Sequence, residues 1–420
     1  MLTPEYLETI EFNRIVELYN KLNIQITADI INRIIIGKEI TQTSIKQLEI
    51  LLETNGAEIF NQVLEETSLL TYETKQELKL IFENMVKEDM QGYKELYSYQ
   101  NKAFKLTESQ YKLLNEGLRE TNRALKNMTN TIAFQSKQAY IETVDSAYMK
   151  VASGAFDYTT AINAACQELA SKGITLKDKL GRNVQLEVAV RRNVMAGIQE
   201  TANNINKDIE EYLGCNGYEV TAHSGARPTH AEEQGKQFAL NEKDAKKFRI
   251  GLWVDVEDLW KEYNCRHTYF GIILGISEPQ YTDKELQKMK NATVTLNGKE
   301  VPLYKATQKQ RQIENAIRKE KRTVDILEES EIDTTVEKIR LRELNKKYND
   351  FCDETGLSKQ YDRIKVAKGN STKPIKSSII ELPNYKNAVI SEEKFTQYAL
   401  NPLRDKNKAE AFQKALGYNL

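Results

Sequence analysis

The chain is poor in helix breakers: 420 residues hold only 7 prolines and 19 glycines. Long stretches run without the residues that most often end a helix, so a mainly α protein is expected. Cysteine is also scarce. Cys166, Cys215, Cys265 and Cys352 lie far apart and form no CxxC pair, which argues for a reducing compartment and against a disulfide framework. No run approaches the ~18 consecutive apolar residues of a membrane span. The opening MLTPEYLETIEFNRIVELYN is acidic and amphipathic, without the basic start and apolar run of a signal peptide. Neither GxxxxGKS, GxxxxGKT nor GxGxxG occurs, so no glycine-rich phosphate cradle is expected. Neither sign of charge dominates. Lys+Arg is 60 and Asp+Glu is 61, a net of -1, which excludes a uniformly polycationic nucleic-acid coat but leaves room for a local basic patch.

What is present is a foldable composition, 40% hydrophobic and 29% charged. At ~150 residues per domain the length suggests about two to four domains. Residues 1–145 read as helix after helix, a bundle or docking region. Phe12, Ile15, Leu18 and Leu22, then Leu48, Leu51 and Leu52, then Leu78, Ile81, Phe82 and Met85 recur at helical steps. Residues 41–44 offer an N-cap, and Thr107 with Gln110 spells a capping box. The stripe Tyr111, Leu114, Leu118, Leu125, Ile132 suits an elongated bundle. Residues 1–100 carry 17 acidic and 9 basic side chains, a net of -8, and residues 101–150 carry 5 and 8, a net of +3. Such polarity suits either a solvated face or docking on a partner. Residues 146–211 are expected as a helical connection, with glycine breaks and the adjacent Arg191 and Arg192 facing different directions.

The texture changes over 212–304, expected as a small α+β module. GYEVTAH suggests a strand and SGARP a turn, and Asn297-Gly298 between alternating residues is a hairpin signal. Residues 305–367 return to helix. The stretch 305–322 holds Lys305, Lys309, Arg311, Arg318, Lys319, Lys321 and Arg322 against Glu314 and Glu320, seven minus two, a net of +5. Arg311, Arg318, Lys319, Lys321 and Arg322 are candidates for contact with DNA or an acidic partner. Residues 368–381 read as a linker and 382–420 as a short appended domain. The fold class is therefore mainly α: an elongated helical N-terminal half, an embedded small α+β module and a helical C-terminal part.

All three histidines fall between 223 and 267, with Cys215 and Cys265 in the same stretch. His223, His230, Cys265 and His267 form the one set of soft and borderline ligands, and thiolate plus imidazoles is a donor set for a structural zinc. Cys265 and His267, two apart, share one side of an extended segment. The spacing matches no zinc ribbon and no HExxH motif. The plain alternative is histidines that cap turns and a cysteine that packs as a small apolar group. Cys265 or Cys215 beside a histidine would allow a nucleophile, and Glu232 and Glu233 an acid and base, but no motif supports activation, and no catalytic residue is assigned. Arg227 and Arg266 are candidates to lock the two motif loops together through guanidinium forks.

Several long motifs resemble the minor capsid protein 2 family of tailed phages, relatives of the Mu F-like head morphogenesis proteins. They are HSGARPTHAEEQGK (His223 to Lys236), YNCRHTYF (Tyr263 to Phe270) and GISEPQYTDKEL, supported by YMKVASGAFDYTTAI, VAVRRNVMAGIQETA and YKATQKQRQIENAIRKEKR. The resemblance covers roughly 1–367. Two departures stand out: Glu233 where the family carries an aromatic, and VDVEDLWKEY as a shorter segment before NCRH. Residues 382–420 resemble the opening of small domains appended to phage head proteins and to bacterial polymorphic-toxin proteins. The resemblance implies a structural virion or procapsid component at or near the portal. Its partners would be portal, capsid or scaffold subunits and packaged DNA, and it would be assembled in the host bacterial cytoplasm, with no enzymatic activity and no membrane span. A metal-dependent hydrolase or effector carried in the head, and a DNA-binding head protein, stay open as alternatives.

Overall fold

The computed structural model describes residues 2–11, 14–36, 45–153, 156–178, 180–261 and 265–366. The chain divides into two compact units, Met1–Gly369 and Asn370–Leu420, and every described residue belongs to the first. The cap expected at 41–44, the linker 368–381 and the segment 382–420 lie outside the described residues.

The N-terminal part is helix on helix: α1 (Pro4–Glu11), α2 (Arg14–Ile36), α3 (Ile45–Gln91), α4 (Lys94–Tyr99), α5 (Glu108–Ala152) and α6 (Tyr158–Lys172). A hairpin of β1 (Thr175–Lys177) and β2 (Asn183–Gln185) leads into α7 (Leu186–Leu213). Then come β3 (Gly217–Val220), α8 (Pro228–Ala231), β4 (Gln237–Ala239), α9 (Glu242–Phe248), β5 (Gly251–Leu252) and β6 (Tyr269–Ile272). These strands form one sheet in the order β5-β4-β3-β6, antiparallel except for β4 with β5. The chain continues through α10 (Asp283–Lys290), the hairpin β7 (Thr293–Leu296) with β8 (Lys299–Pro302), α11 (Leu303–Glu329) and α12 (Thr335–Thr355). The mainly α fold with a small α+β module holds.

Local signals explain much of this. Thr107 caps α5, and Gln110 returns the bond to the Thr107 N–H. Asn297 and Gly298 both have positive φ and join β7 to β8 as the hairpin signal requires. The β1–β2 hairpin departs from the expected all-helical connection. Asp178 makes it: its carboxylate accepts the N–H groups of Leu180 and Arg182, each at 2.9 Å, and so closes the loop by a local side-chain bond.

The body packs α2, α3, α5 and α7 around one apolar cluster that includes Ile24, Ile30, Phe82, Ile132, Tyr140 and Val194. Along α3, buried positions recur at 59, 63, 67, 71, 74, 78, 82 and 85. Its middle turns bury Thr67, Thr71 and Thr74 and expose Leu69 and Tyr72. The threonines stay satisfied because each hydroxyl donates to a carbonyl about one turn back, Thr67 to Val63 at 2.7 Å and Thr71 to Thr67 at 2.8 Å. Where α5 meets α7, two glycines allow a close crossing. A Cβ on Gly117 would lie 1.9 Å from Thr201 Oγ1, and one on Gly197 would lie 2.0 Å from Thr121 Oγ1.

A buried polar knot fastens the sheet to this body. Tyr93 Oη donates to Glu210 Oε1 of α7 at 3.1 Å and accepts the N–H of Gly271 in β6 at 3.2 Å. Gly271 is required there, because a Cβ would sit 2.2 Å from Glu210 Cγ. The Leu2 N–H donates to Asp89 at 2.9 Å, and the Thr268 hydroxyl donates to the Leu2 carbonyl.

Candidate metal centre

The site begins where β3 and β6 run side by side. Their pairing continues beyond the strands: the Thr221 N–H donates to the Thr268 carbonyl at 2.9 Å, and the Thr268 N–H to Thr221 Oγ1 at 3.0 Å. Residues 221–223 therefore lie against 265–268. After them Gly225, at φ +75°, turns the chain, and Pro228 opens α8, where its fixed φ suits a first helical position. The Arg227 carbonyl accepts the N–H of His230 at 3.0 Å, which aims His230 back at the strands. From the body, Gln199 Nε2 of α7 donates to the Cys265 carbonyl at 3.1 Å.

These elements bring three of the four expected ligands together. His230 Nδ1 lies 3.5 Å from His267 Nδ1, and Cys265 Sγ lies 3.6 Å from the first and 3.5 Å from the second. All three are buried, at 1%, 8% and 5% exposure for His230, Cys265 and His267. Trp260 walls the cluster, with its ring centroid 5.4 Å from that of His230 and 5.1 Å from that of His267. His223 is placed differently. Its ring stacks on His267 at 4.6 Å, while its Nδ1 lies 3.0 Å from the Ser224 carbonyl.

Gln234 is a site residue that motif reasoning does not single out. It is 2% exposed. Its Oε1 accepts the His223 backbone N–H at 3.1 Å and lies 2.9 Å from His267 Nε2. A backbone N–H can only donate, so the amide oxygen must face it. His267 Nε2 then carries the proton, and its Nδ1 presents a lone pair to Cys265 and His230. Burial first, then the charges of His223, His230 and Arg227, push the His267 pKa down to about 2, so the ring is neutral, the form in which imidazole ligates.

The remaining candidates fall elsewhere. Glu232 pairs with Lys290 at 2.7 Å and Glu233 with Lys236 at 3.0 Å, surface pairs that give no acid–base couple in the cluster. The Cys215 thiol is pushed up to about 12 by burial and by Glu210, so it stays a thiol and a poor nucleophile. Arg227 and Arg266 are half-buried beside the cluster. Gln234 and the Thr221–Thr268 pair supply bonds between the two segments.

In α11, Arg322 does not face outward to a partner. It is 2% exposed and pairs with Glu187 of α7 at 2.7 Å, because α11 packs this face on the body. Arg318 donates to the Arg363 carbonyl, and Lys321 donates to that of Ile364 at 2.8 Å. Arg311 is half-buried, and Lys319 is exposed.

The fold and the site define a mainly helical protein that carries a sheet module with a buried His/Cys triad. A family model described as phage minor capsid protein 2 matches residues 2–353, spanning the helical body, the sheet module and most of α12. The chain belongs to that family, and is a structural protein of the bacteriophage head. No curated protein and no solved structure matches it. No helix among the described residues is long and apolar enough to cross a membrane.

Proposed function

We propose that the protein works by binding rather than by catalysis, and that the outer face of α3 docks on a portal subunit. It would be assembled in the host cytoplasm and carried in the virion. Family membership supports the place in the head. The observation that carries the docking is the inverted patterning of α3. Leu69 is 64% exposed, Tyr72 78% and Leu80 54%, while Thr67, Thr71 and Thr74 face inward. Leu69, Tyr72 and Leu80 fall on one arc of the helix, given about 100° per residue. Exposed large apolar groups gathered on one face mark an interaction surface. The helix carries 10 acidic and 4 basic residues, a net of -6, so the matching partner surface is basic.

The test is cross-linking of purified procapsids, with Tyr72→Glu and Leu69→Glu compared with the wild type. Cross-links from α3 to the portal, and loss of the protein from particles of the variants, are expected. Cross-links confined to the major capsid shell, or full incorporation of both variants, would overturn the reading.

A further inference from the structure

Among the described residues, one group of buried histidine and cysteine side chains gathers its donor atoms at a single point. The three atoms form a nearly equilateral triangle with edges of 3.5, 3.6 and 3.5 Å. Tetrahedral zinc, with bonds of about 2.0–2.1 Å to nitrogen and about 2.3 Å to sulfur, sets its ligands about 3.3–3.4 Å apart for two nitrogens and about 3.5–3.6 Å apart for nitrogen and sulfur. The triangle therefore has the dimensions of one face of a zinc tetrahedron.

We propose that His230 Nδ1, Cys265 Sγ and His267 Nδ1 bind one Zn²⁺ ion that ties α8 to the segment leading into β6. The donor set, one thiolate and two imidazoles, selects a borderline-soft transition metal over Mg²⁺ or Ca²⁺, which take oxygen. Gln234 supplies the outer contact that such sites carry: it accepts the His267 Nε2–H and so directs the opposite nitrogen at the ion. Trp260 and the body exclude water from one side. The fourth coordination position is left to water or one further ligand, since neither ring nitrogen of His223 falls within the group of donor atoms that His230, Cys265 and His267 bring together. Binding deprotonates the Cys265 thiol and releases that proton to solvent. The ion joins two chain segments 35 residues apart in sequence, where the module's own apolar cluster is small.

The proposal is tested on the full chain without a polyhistidine tag, stripped with a chelator and titrated with Co²⁺ and then Zn²⁺. One equivalent of Co²⁺ should give a thiolate charge-transfer band and the intense visible absorption of a tetrahedral centre. One equivalent of Zn²⁺ should displace it, and the Tm should rise by several degrees. Cys265→Ser should abolish the charge-transfer band, and His223→Gln should leave it intact. A stripped wild type that gives neither band nor Tm shift would overturn the proposal without recourse to any variant that fails to fold. So would a band that survives Cys265→Ser, since it would come from Cys166, Cys215 or Cys352.

Discussion

The helical body and the sheet module reach stability by different means. The body has apolar surface in plenty, and its cluster runs from Leu2 to Leu327 and takes in Ala239, Phe270, Ile272 and Leu274 from one face of the sheet. There, specificity comes from shape: Gly117 and Gly197 let α5 and α7 approach closely at two points. The module's cluster consists of Tyr218, Val220, Phe238, Trp253, Trp260 and Cys265. Its rings pack edge and tilt, Tyr218 on Trp253 at 4.6 Å and Trp253 on Tyr269 at 4.4 Å. On the face of the sheet turned away from the body, aromatic area and polar side chains with fixed partners do what aliphatic bulk does in the body. The comparison teaches that one chain can set its fold by packing in one region and by chemistry in another.

The sharpest way to break this contrast is to truncate one large side chain in each region. Phe82→Ala and Trp253→Ala should each cost about 3–5 kcal/mol. Hydrogen exchange should then differ: Trp253→Ala frees amides of the sheet while α3 and α5 stay protected, whereas Phe82→Ala lowers protection throughout. Equal loss in both regions for both variants would mean that body and module unfold as one. Arg322→Ala leaves Glu187 buried without its cation, and should cost about 3–5 kcal/mol in urea unfolding.

The knot between the two regions predicts a pH effect. Burial, with a smaller push from the Asp89 charge, raises the Glu210 pKa to about 7, while bonds from Tyr218 and Tyr93 oppose the shift. The folded state thus keeps a proton that the unfolded chain gives up at about pH 4.3. This stabilisation is complete below that pH and is lost as pH rises through about 7, on the order of 4 kcal/mol in all. Glu210→Gln should flatten the dependence of unfolding free energy on pH between 4 and 8, and an unchanged slope would remove Glu210 as its source. Gly117→Ala should cost about 1–3 kcal/mol by overpacking, with partial recovery when Thr201→Gly is added. The smallest effect belongs to Lys319→Glu, expected within about 0.5 kcal/mol on stability.

Much of the scaffold is legible in the sequence. The capping box at Thr107 and Gln110 and the turn at Asn297-Gly298 are local, so sequence carries them whole. The clustering of His230, Cys265 and His267 is readable from their place in two motifs, but the turning aside of His223 is not, because it depends on the Ser224 carbonyl and on Gln234. The middle of α3 is invisible to an apolar-periodicity reading, since its buried face is threonine and its exposed face holds Leu69 and Tyr72. The inward turn of Arg322 depends on Glu187, 135 positions away, and a charge count over one helix cannot see such a partner.

The length of α3 has a consequence of its own. Its 47 residues make a rod about 70 Å long at about 1.5 Å per residue. A rod has phase as well as length. Removing one residue would turn everything beyond the cut by about 100° and swing Leu69 and Tyr72 away from their present bearing relative to α5. The inward positions 63, 74 and 85, like 67, 78 and 89, repeat every eleven residues, close to three full turns. Excising such a block would shorten the rod by about 16 Å yet leave every face on its own side. The length of α3 can therefore change in blocks of three turns without turning its buried face outward.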